Sequence, residues 1–174
     1  MSASFAAITW LCVAWIKQGR PKFVELLTGS VAGLATITPA AGYVSMPVAA
    51  LFGIAAGFVC YYCVHIKNKL GWDDALDVWG VHGMGGVLGT ILLGVFGSSA
   101  INANAADGLL YGGSGFFMLQ LVVVIAASLY AFVFTYIMLV AINYITPVKV
   151  SDDEEHQGLD ISIHGETAYD LNLL

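Results

Sequence analysis

The sequence predicts an all-α protein, a helix bundle that crosses a membrane several times. Hydrophobic residues make up 59% of the chain and charged residues only 10%, whereas a soluble domain carries about a quarter charged residues. The apolar residues are gathered into five runs, and the basic residues stand just after alternate runs. These observations predict a polytopic membrane protein rather than a water-soluble domain.

The five predicted spans cover residues 3–16, 23–38, 47–64, 74–96 and 116–145. The first is short, because a helix needs about 20 residues to cross the hydrocarbon core. The fifth is too long for a perpendicular crossing. At 1.5 Å per residue it measures about 45 Å against about 30 Å of hydrocarbon, so it should tilt or project beyond the bilayer.

Basic residues predict the orientation of the spans. They follow the first, third and fifth spans, as Lys17, Arg20, Lys22, Lys67, Lys69 and Lys149. The loops on the other face, residues 39–47 and 97–115, contain no Lys or Arg. The positive-inside rule therefore places the amino terminus outside and the carboxyl terminus in the cytoplasm. Residues 1–148 form the predicted transmembrane domain, and residues 149–174 form an acidic cytoplasmic tail.

Glycine pairs four residues apart predict close packing of the middle spans. The second, third and fourth spans each carry one pair, Gly29–Gly33, Gly53–Gly57 and Gly85–Gly89. Such pairs let the backbones of neighbouring helices approach closely. They are common in membrane helices, so we interpret them as packing sites and not as evidence of a particular function.

Residues 71–89 hold the polar groups that are most informative about function. Asp73 and Asp74 stand where the fourth span begins, and there a carboxylate accepts hydrogen bonds from free backbone N–H groups. Asp77 lies about one turn further along. An acid inside a span is costly unless it is hydrogen-bonded, so Asp77 either ties its helix to a neighbour or takes part directly in transport.

His82 is the one histidine inside a predicted span. It lies nine residues beyond Asp73, about 13 Å along a helix and close to the bilayer midplane. Val78 precedes it by one turn on the same face, and Gly83 follows it. An apolar site disfavours the charged imidazolium, and a neutral imidazole can accept or pass on a proton. His82 is therefore a functional candidate, or else it makes a hydrogen bond between helices.

At this point the chain resembles the ammonium transporter family, which includes the Rh proteins. Thr36–Tyr43 (TITPAAGY) resembles a block at the outer end of the family's eighth span. Asp77–Gly83 (DVWGVHG) resembles a block in its tenth span, with Trp79 replacing the usual Phe. Gly158–Tyr169 (GLDISIHGETAY) resembles the block in its cytoplasmic tail. The likeness runs from about residue 3 to about residue 169.

The resemblance implies part of an inverted-repeat fold of eleven spans, with the five spans here matching the seventh to the eleventh. It further implies a homotrimer in the cell membrane with one pore per subunit. In the family, ammonium is deprotonated and ammonia passes two facing histidines. His82 matches the second of these, Val78 matches an apolar pore position, and Thr38 matches a position near the outer mouth. Asp77 and Gly83 support the pore.

The resemblance also implies a role for the tail. Gly158, Asp160, His164 and Gly165 match a block that packs on a neighbouring subunit and can gate transport, and a cytoplasmic nitrogen-signalling protein is an implied partner. Ser162 and Thr167 are either phosphate acceptors or unmodified, solvated hydroxyl groups.

Three functional hypotheses follow. The first is a carboxyl-terminal fragment of an ammonium transporter that conducts nothing by itself. The second is a truncated regulatory subunit that modulates full-length trimers through its tail. The third is an Rh-like ammonia channel. An enzyme is not expected, because the sequence shows no nucleophile with a matched base, no cofactor-binding loop and no metal cluster. No basic surface for nucleic acid is present either.

Overall fold

A computed structural model describes residues 1–167, and these residues contain helices, turns and loops but no strand. The helices are α1 (Ser2–Gln18), α2 (Phe23–Ile37), α3 (Met46–Leu70), α4 (Met84–Phe96), α5 (Ser114–Ile145) and α6 (Asp152–Gln157). Short 3-10 turns occur at Thr38–Ala40 and Leu109–Tyr111, and π-helical turns at Trp79–Gly83 and Asp160–His164. The fold is therefore all-α over the described residues, as predicted.

Four helical segments are long and apolar enough to cross a membrane. They are Phe23–Ala40, Met46–Leu70, Trp79–Phe96 and Ser114–Ile145. With 17 residues, α1 is shorter than these segments. A multi-span membrane protein is therefore supported, whereas the count of five spans and the orientation of the termini stay predictions.

The fourth span begins later than its predicted start at residue 74. The helix starts after Asp77, which adopts a left-handed backbone conformation with φ of 56°. Asp74 caps it, because its two carboxylate oxygens accept from the backbone N–H groups of Val78 and Trp79, each at 2.9 Å. The predicted capping role is thus found at Asp74, with the helix start displaced towards the carboxyl terminus.

Helix α1 packs closely against both α2 and α3. A Cβ added at Gly33 would lie 2.6 Å from the Cβ of Ala6, and one added at Gly57 would lie 2.6 Å from the Cβ of Thr9. A Cβ at Gly53 would collide with the carbonyl oxygen of Ser2. The glycine pairs of α2 and α3 therefore create the space that α1 occupies, as expected for close helix packing.

Aromatic contacts and hydrogen bonds fix α1 in place. Trp10 is 2% exposed, and its ring meets the ring of Tyr61 edge to face at 5.6 Å. The indole Nε1 of Trp10 donates to Glu25 at 2.6 Å, and the Ser2 hydroxyl donates to the Gly33 carbonyl at 2.8 Å. The Trp10 indole and the Ser2 hydroxyl thus each have a partner, as buried polar groups require.

The chain divides into two compact units, Met1–Ala127 and Ser128–Leu174. In the second unit, α6 begins with a capping box. The Ser151 hydroxyl accepts from the backbone N–H of Glu154 at 3.4 Å, and the Glu154 carboxylate accepts from the backbone N–H of Ser151 at 2.8 Å. These reciprocal bonds satisfy donors that a helix start leaves free. The predicted domain boundary after residue 148 stays a prediction.

Candidate functional site

The π-helical turn Trp79–Gly83 has one buried side and one exposed side. Val81 is 3% exposed within the core, and Gly80 lies so close to α3 that an added Cβ would be 2.6 Å from a methyl group of Val64. Val78, His82 and Gly83 are exposed. The structure thus places the apolar Val78 and the imidazole of His82 on the side of the turn away from the core.

The turn belongs to a class that often marks functional sites. A π-helical turn inserts one extra residue into a helix, is rare in general and is frequently found at functional sites. Here the turn leads directly into α4, and Gly80 allows it to approach α3 closely. Because the helix starts at residue 78, His82 lies within its first turns and not nine residues along it.

Lys67 holds the segment that precedes the turn. Its side chain is 5% exposed, and its ammonium group lies 2.7 Å from the carboxylate of Asp77. The same group donates to the backbone carbonyl of Asp74 at 2.6 Å. Asp77 therefore ties the fourth span to α3, the first of the two roles considered for it.

The ion pair sits at a strained backbone position. Asp77 is the one non-glycine residue with positive φ among residues 1–167. Aspartate tolerates this region better than most residues, yet the conformation persists only where the surroundings impose it. Lys67 provides that constraint through both of its contacts. The sequence did not predict this role for Lys67, because the residue lies beyond the apolar run of its helix. The available signal for the ion pair was a lysine ten residues before an acid in the next span.

Thr38 lies in a different part of the fold from the π-helical turn. It begins the 3-10 turn that follows α2, and its side chain is exposed. Its hydroxyl donates to the Leu34 carbonyl at 2.7 Å, within the same helical segment. The structure therefore gives Thr38 a local hydrogen bond and does not bring it together with His82.

The predicted tail residues form a second turn. Gly158 and Gly165 flank the π-helical turn Asp160–His164, with φ of 94° and 69°. Glycine adopts these left-handed angles without the steric cost that a Cβ would bring. Asp160 and His164 line a shallow pocket of about 220 Å³ together with Glu166 and Thr167. Ala168 and Tyr169, the end of the tail block, lie outside the described residues.

Both hydroxyl groups considered for modification are in this turn or beside it. Ser162 donates from its hydroxyl to the Gly158 carbonyl at 3.0 Å, and Thr167 is exposed. Over residues 1–167, the structure contains no group of three or more His, Cys, Asp or Glu residues that could hold a metal ion.

Four helical segments long and apolar enough to cross a membrane define the chain as a polytopic membrane protein. Its family follows from comparison with known proteins. The profile of the Ammonium Transporter Family matches residues 1–169, so the chain belongs to that family. The family predicted from the three sequence blocks is therefore confirmed, and its members are transporters.

Individual relatives agree with this assignment. The chain is 38% identical to an ammonium transporter of Bacillus subtilis over 92% of its own length and 40% of the relative's. It is 41% identical to a putative ammonium transporter of Methanothermobacter thermautotrophicus over 98% of its length and 42% of the relative's. It thus spans about 40% of the length of these curated relatives.

Solved structures share the fold. The crystal structure of Saccharomyces cerevisiae Mep2 superposes with a TM-score of 0.79 at 32% identity, covering 87% of this chain and 36% of that one. The crystal structure of Candida albicans Mep2 superposes with a TM-score of 0.81 at 31% identity, covering 88% and 35%. A Sensor Amt Protein, at 24% identity, shares the fold with a TM-score of 0.77.

Proposed function

We propose that this chain supplies part of an ammonium-conducting subunit and that the side of the π-helical turn bearing Val78 and His82 lines the pathway. The supporting observation is the two-sided turn. Gly80 and Val81 anchor it to the core, while Val78 and His82 are exposed. An anchored turn holds its exposed side chains in fixed positions, as a selective pathway requires.

The chemistry of these two side chains suits ammonia. Potassium and ammonium ions carry the same charge and have similar sizes, so a simple charged pore separates them poorly. An apolar constriction excludes both ions and admits neutral ammonia. Val78 supplies apolar surface, and His82 supplies one hydrogen-bond donor and one acceptor in its neutral form. His82 can thereby bind ammonia or accept a proton without a fixed charge in the pathway.

The proposal includes an arrangement in the membrane. The amino terminus lies outside, the carboxyl terminus lies in the cytoplasm, and the protein forms a homotrimer in the cell membrane. Thr38 lies near the outer mouth, and Asp77 and Gly83 support the pathway. The distribution of basic residues supports the orientation, and membership of the Ammonium Transporter Family supports the substrate.

The tail is proposed to regulate transport. Its residues form defined elements, namely α6 with its capping box and the turn flanked by Gly158 and Gly165. We propose that Asp160 and His164 present this turn to a neighbouring subunit or to a cytoplasmic nitrogen-signalling protein. Deleting residues 151–174 should leave the helices of residues 1–145 folded and change the regulation of uptake.

The function is tested in a complete transporter. In cells that lack their own ammonium transporters, the matching segment of the Bacillus subtilis relative is replaced by this chain, and uptake of labelled methylammonium is measured. The His82→Ala variant should lose about tenfold or more of the uptake, because a positioned proton acceptor contributes about 100-fold or more to proton transfer. The control is Leu76→Ala, which removes an exposed side chain that precedes the turn.

Two outcomes would count against the proposal. Full uptake by the His82→Ala variant would remove His82 from the pathway. Robust uptake by cells that express only these 174 residues, lost in His82→Ala, would show that the chain conducts alone and would contradict the expectation that it supplies only part of the subunit.

A further inference from the structure

A basic cleft lies at the end of α1, beside α3. Its volume is about 440 Å³, and its lining residues are Lys17, Gln18, Lys22, Tyr61, Tyr62 and His65. Each of these side chains can donate a hydrogen bond, as an ammonium, amide, phenol or imidazole group. The two ammonium groups can only donate, so the cleft favours a ligand that presents several acceptor oxygens.

One acid, Glu25, lies beside the cleft, because it accepts a hydrogen bond from the lining residue Gln18. Glu25 accepts from the Trp10 indole at 2.6 Å through one carboxylate oxygen and from the Gln18 amide at 2.8 Å through the other. Its single negative charge remains and offsets one of the two lysine charges that line the cleft. Within the described part of the chain, the ammonium groups of Lys17 and Lys22 take part in no ion pair. The cleft therefore keeps an excess of positive charge.

Aromatic rings shape the cleft and orient one of its charges. The Lys17 ammonium group lies 5.9 Å from the centroid of the Tyr62 ring, within the range of a cation–π contact. The rings of Tyr61 and Tyr62 meet edge to face at 5.5 Å. Tyr61 is largely buried, while Lys22 stands in the connection between α1 and α2.

We propose that this cleft binds a phosphate group. Lysine ammonium groups bind phosphate as point charges, and hydrogen bonds between charged groups are about twice as strong as neutral ones. The cleft also lies on the face of the bundle that carries the basic residues, where anionic lipid headgroups attract Lys and Arg. The phosphate is carried by an anionic phospholipid headgroup or by a soluble phosphate ester, two sources with the same chemistry.

Binding to the purified full-length chain in a neutral detergent tests the proposal. The probes are dioctanoyl phosphatidylglycerol, sn-glycerol 3-phosphate and inorganic phosphate, each titrated while the thermal unfolding midpoint is recorded. The Lys17→Gln/Lys22→Gln variant removes two lining charges. The control, Arg20→Gln/Lys69→Gln, removes two exposed charges of the same sign that do not line the cleft.

We expect the Lys17→Gln/Lys22→Gln variant to weaken binding by about tenfold or more, since each lost charged hydrogen bond costs about that factor. The control should bind within about twofold of the unmodified chain. Binding of all three probes identifies a site open to soluble phosphates, and binding of phosphatidylglycerol alone identifies a headgroup site. If the double variant does not fold, Lys22→Gln replaces it, because Lys22 lies outside the helices.

Two results would overturn the proposal. One is the absence of binding by every probe to the unmodified chain. The other is an equal loss of affinity in the cleft variant and the control variant, which would show that only the overall positive charge attracts the ligand.

Discussion

Helix α1 has 17 residues and α5 has 32, yet the shorter helix is the one that packs in the core. Six residues of α1 are buried, including Trp10, whereas none of α5 is. Glycine explains the packing of α1. The pairs in α2 and α3 open space for α1, so its small residues and its Trp ring reach the centre. Hydropathy therefore identifies helices that suit a membrane, but it does not identify those that organise the bundle.

The largest effect should come from removing the ring at the centre of α1. Trp10→Ala should destabilise the chain by about 3–5 kcal/mol, because it leaves a cavity and removes a donor from Glu25. The matched change in α5, Phe132→Ala, removes an exposed ring and should cost less than about 1 kcal/mol. Chemical unfolding in detergent measures both, and equal costs would refute the contrast between the two helices.

Filling the space beneath α1 should have the next largest effect. Gly53→Leu places a side chain against Ser2 and Phe5, and overpacking of this kind costs about 1–3 kcal/mol. Gly115→Leu in α5 is the control, since nothing lies within 4 Å of an added Cβ there. Thermal unfolding of the two variants in the same detergent makes the comparison. If Gly115→Leu were as unstable as Gly53→Leu, the loss of stability would come from replacing glycine in the helix backbone and not from the lack of space around Gly53.

Breaking the ion pair beside the π-helical turn should have a smaller effect on stability. Lys67→Met leaves the Asp77 carboxylate without its cation, and we expect a loss of about 1–2 kcal/mol because Asp77 is partly exposed. In the complete transporter the same change should reduce uptake by displacing the turn that carries His82. Lys67→Arg should recover much of the uptake. If Lys67 only stabilised the fold, the Met and Arg variants would show the same uptake once their expression is matched.

The smallest effect concerns α6. Hydrogen bonds from the backbone N–H and the hydroxyl of Ser151 hold the pKa of Glu154 below its ordinary value of 4.5. A depressed pKa stabilises the folded tail above the unfolded value, and that contribution is lost as the pH falls through the folded pKa. Carbon-13 NMR of the Glu154 carboxyl group should show the low pKa, and Ser151→Ala should return it towards 4.5. An unchanged pKa in Ser151→Ala would exclude the Ser151 hydroxyl as a cause and leave only the backbone N–H of residue 151.

Sequence alone predicted much of the helical framework. The spans predicted at residues 23–38 and 116–145 lie close to α2 and α5, because a long apolar run has few alternatives to a helix in lipid. The third helix extends to Leu70, beyond the run that ended at residue 64. Its last turns carry the polar Lys67, whose burial depends on an ion pair with another segment, and hydropathy cannot anticipate such a tertiary contact.

The candidate site was only partly predictable. The pattern identified His82 and Val78 as neighbours on one side of a helix, and both are exposed on the turn. The displaced helix start at Asp77 could not be predicted, because a left-handed aspartate depends on its partner Lys67. The separation of Thr38 from His82 likewise could not be predicted, because it depends on how α2 and the π-helical turn are arranged in space.

The most direct test of the proposed pathway is to obstruct it. Val78 is 49% exposed, so Val78→Trp should fold normally and place a large ring beside His82. In the complete transporter we expect methylammonium uptake to fall by about tenfold or more, a barrier increase of about 1.4 kcal/mol or more. Leu76→Trp, at a position that is 82% exposed and precedes the turn, should leave uptake unchanged. Uptake by Val78→Trp equal to that of the unmodified transporter would contradict a pathway along this side of the turn.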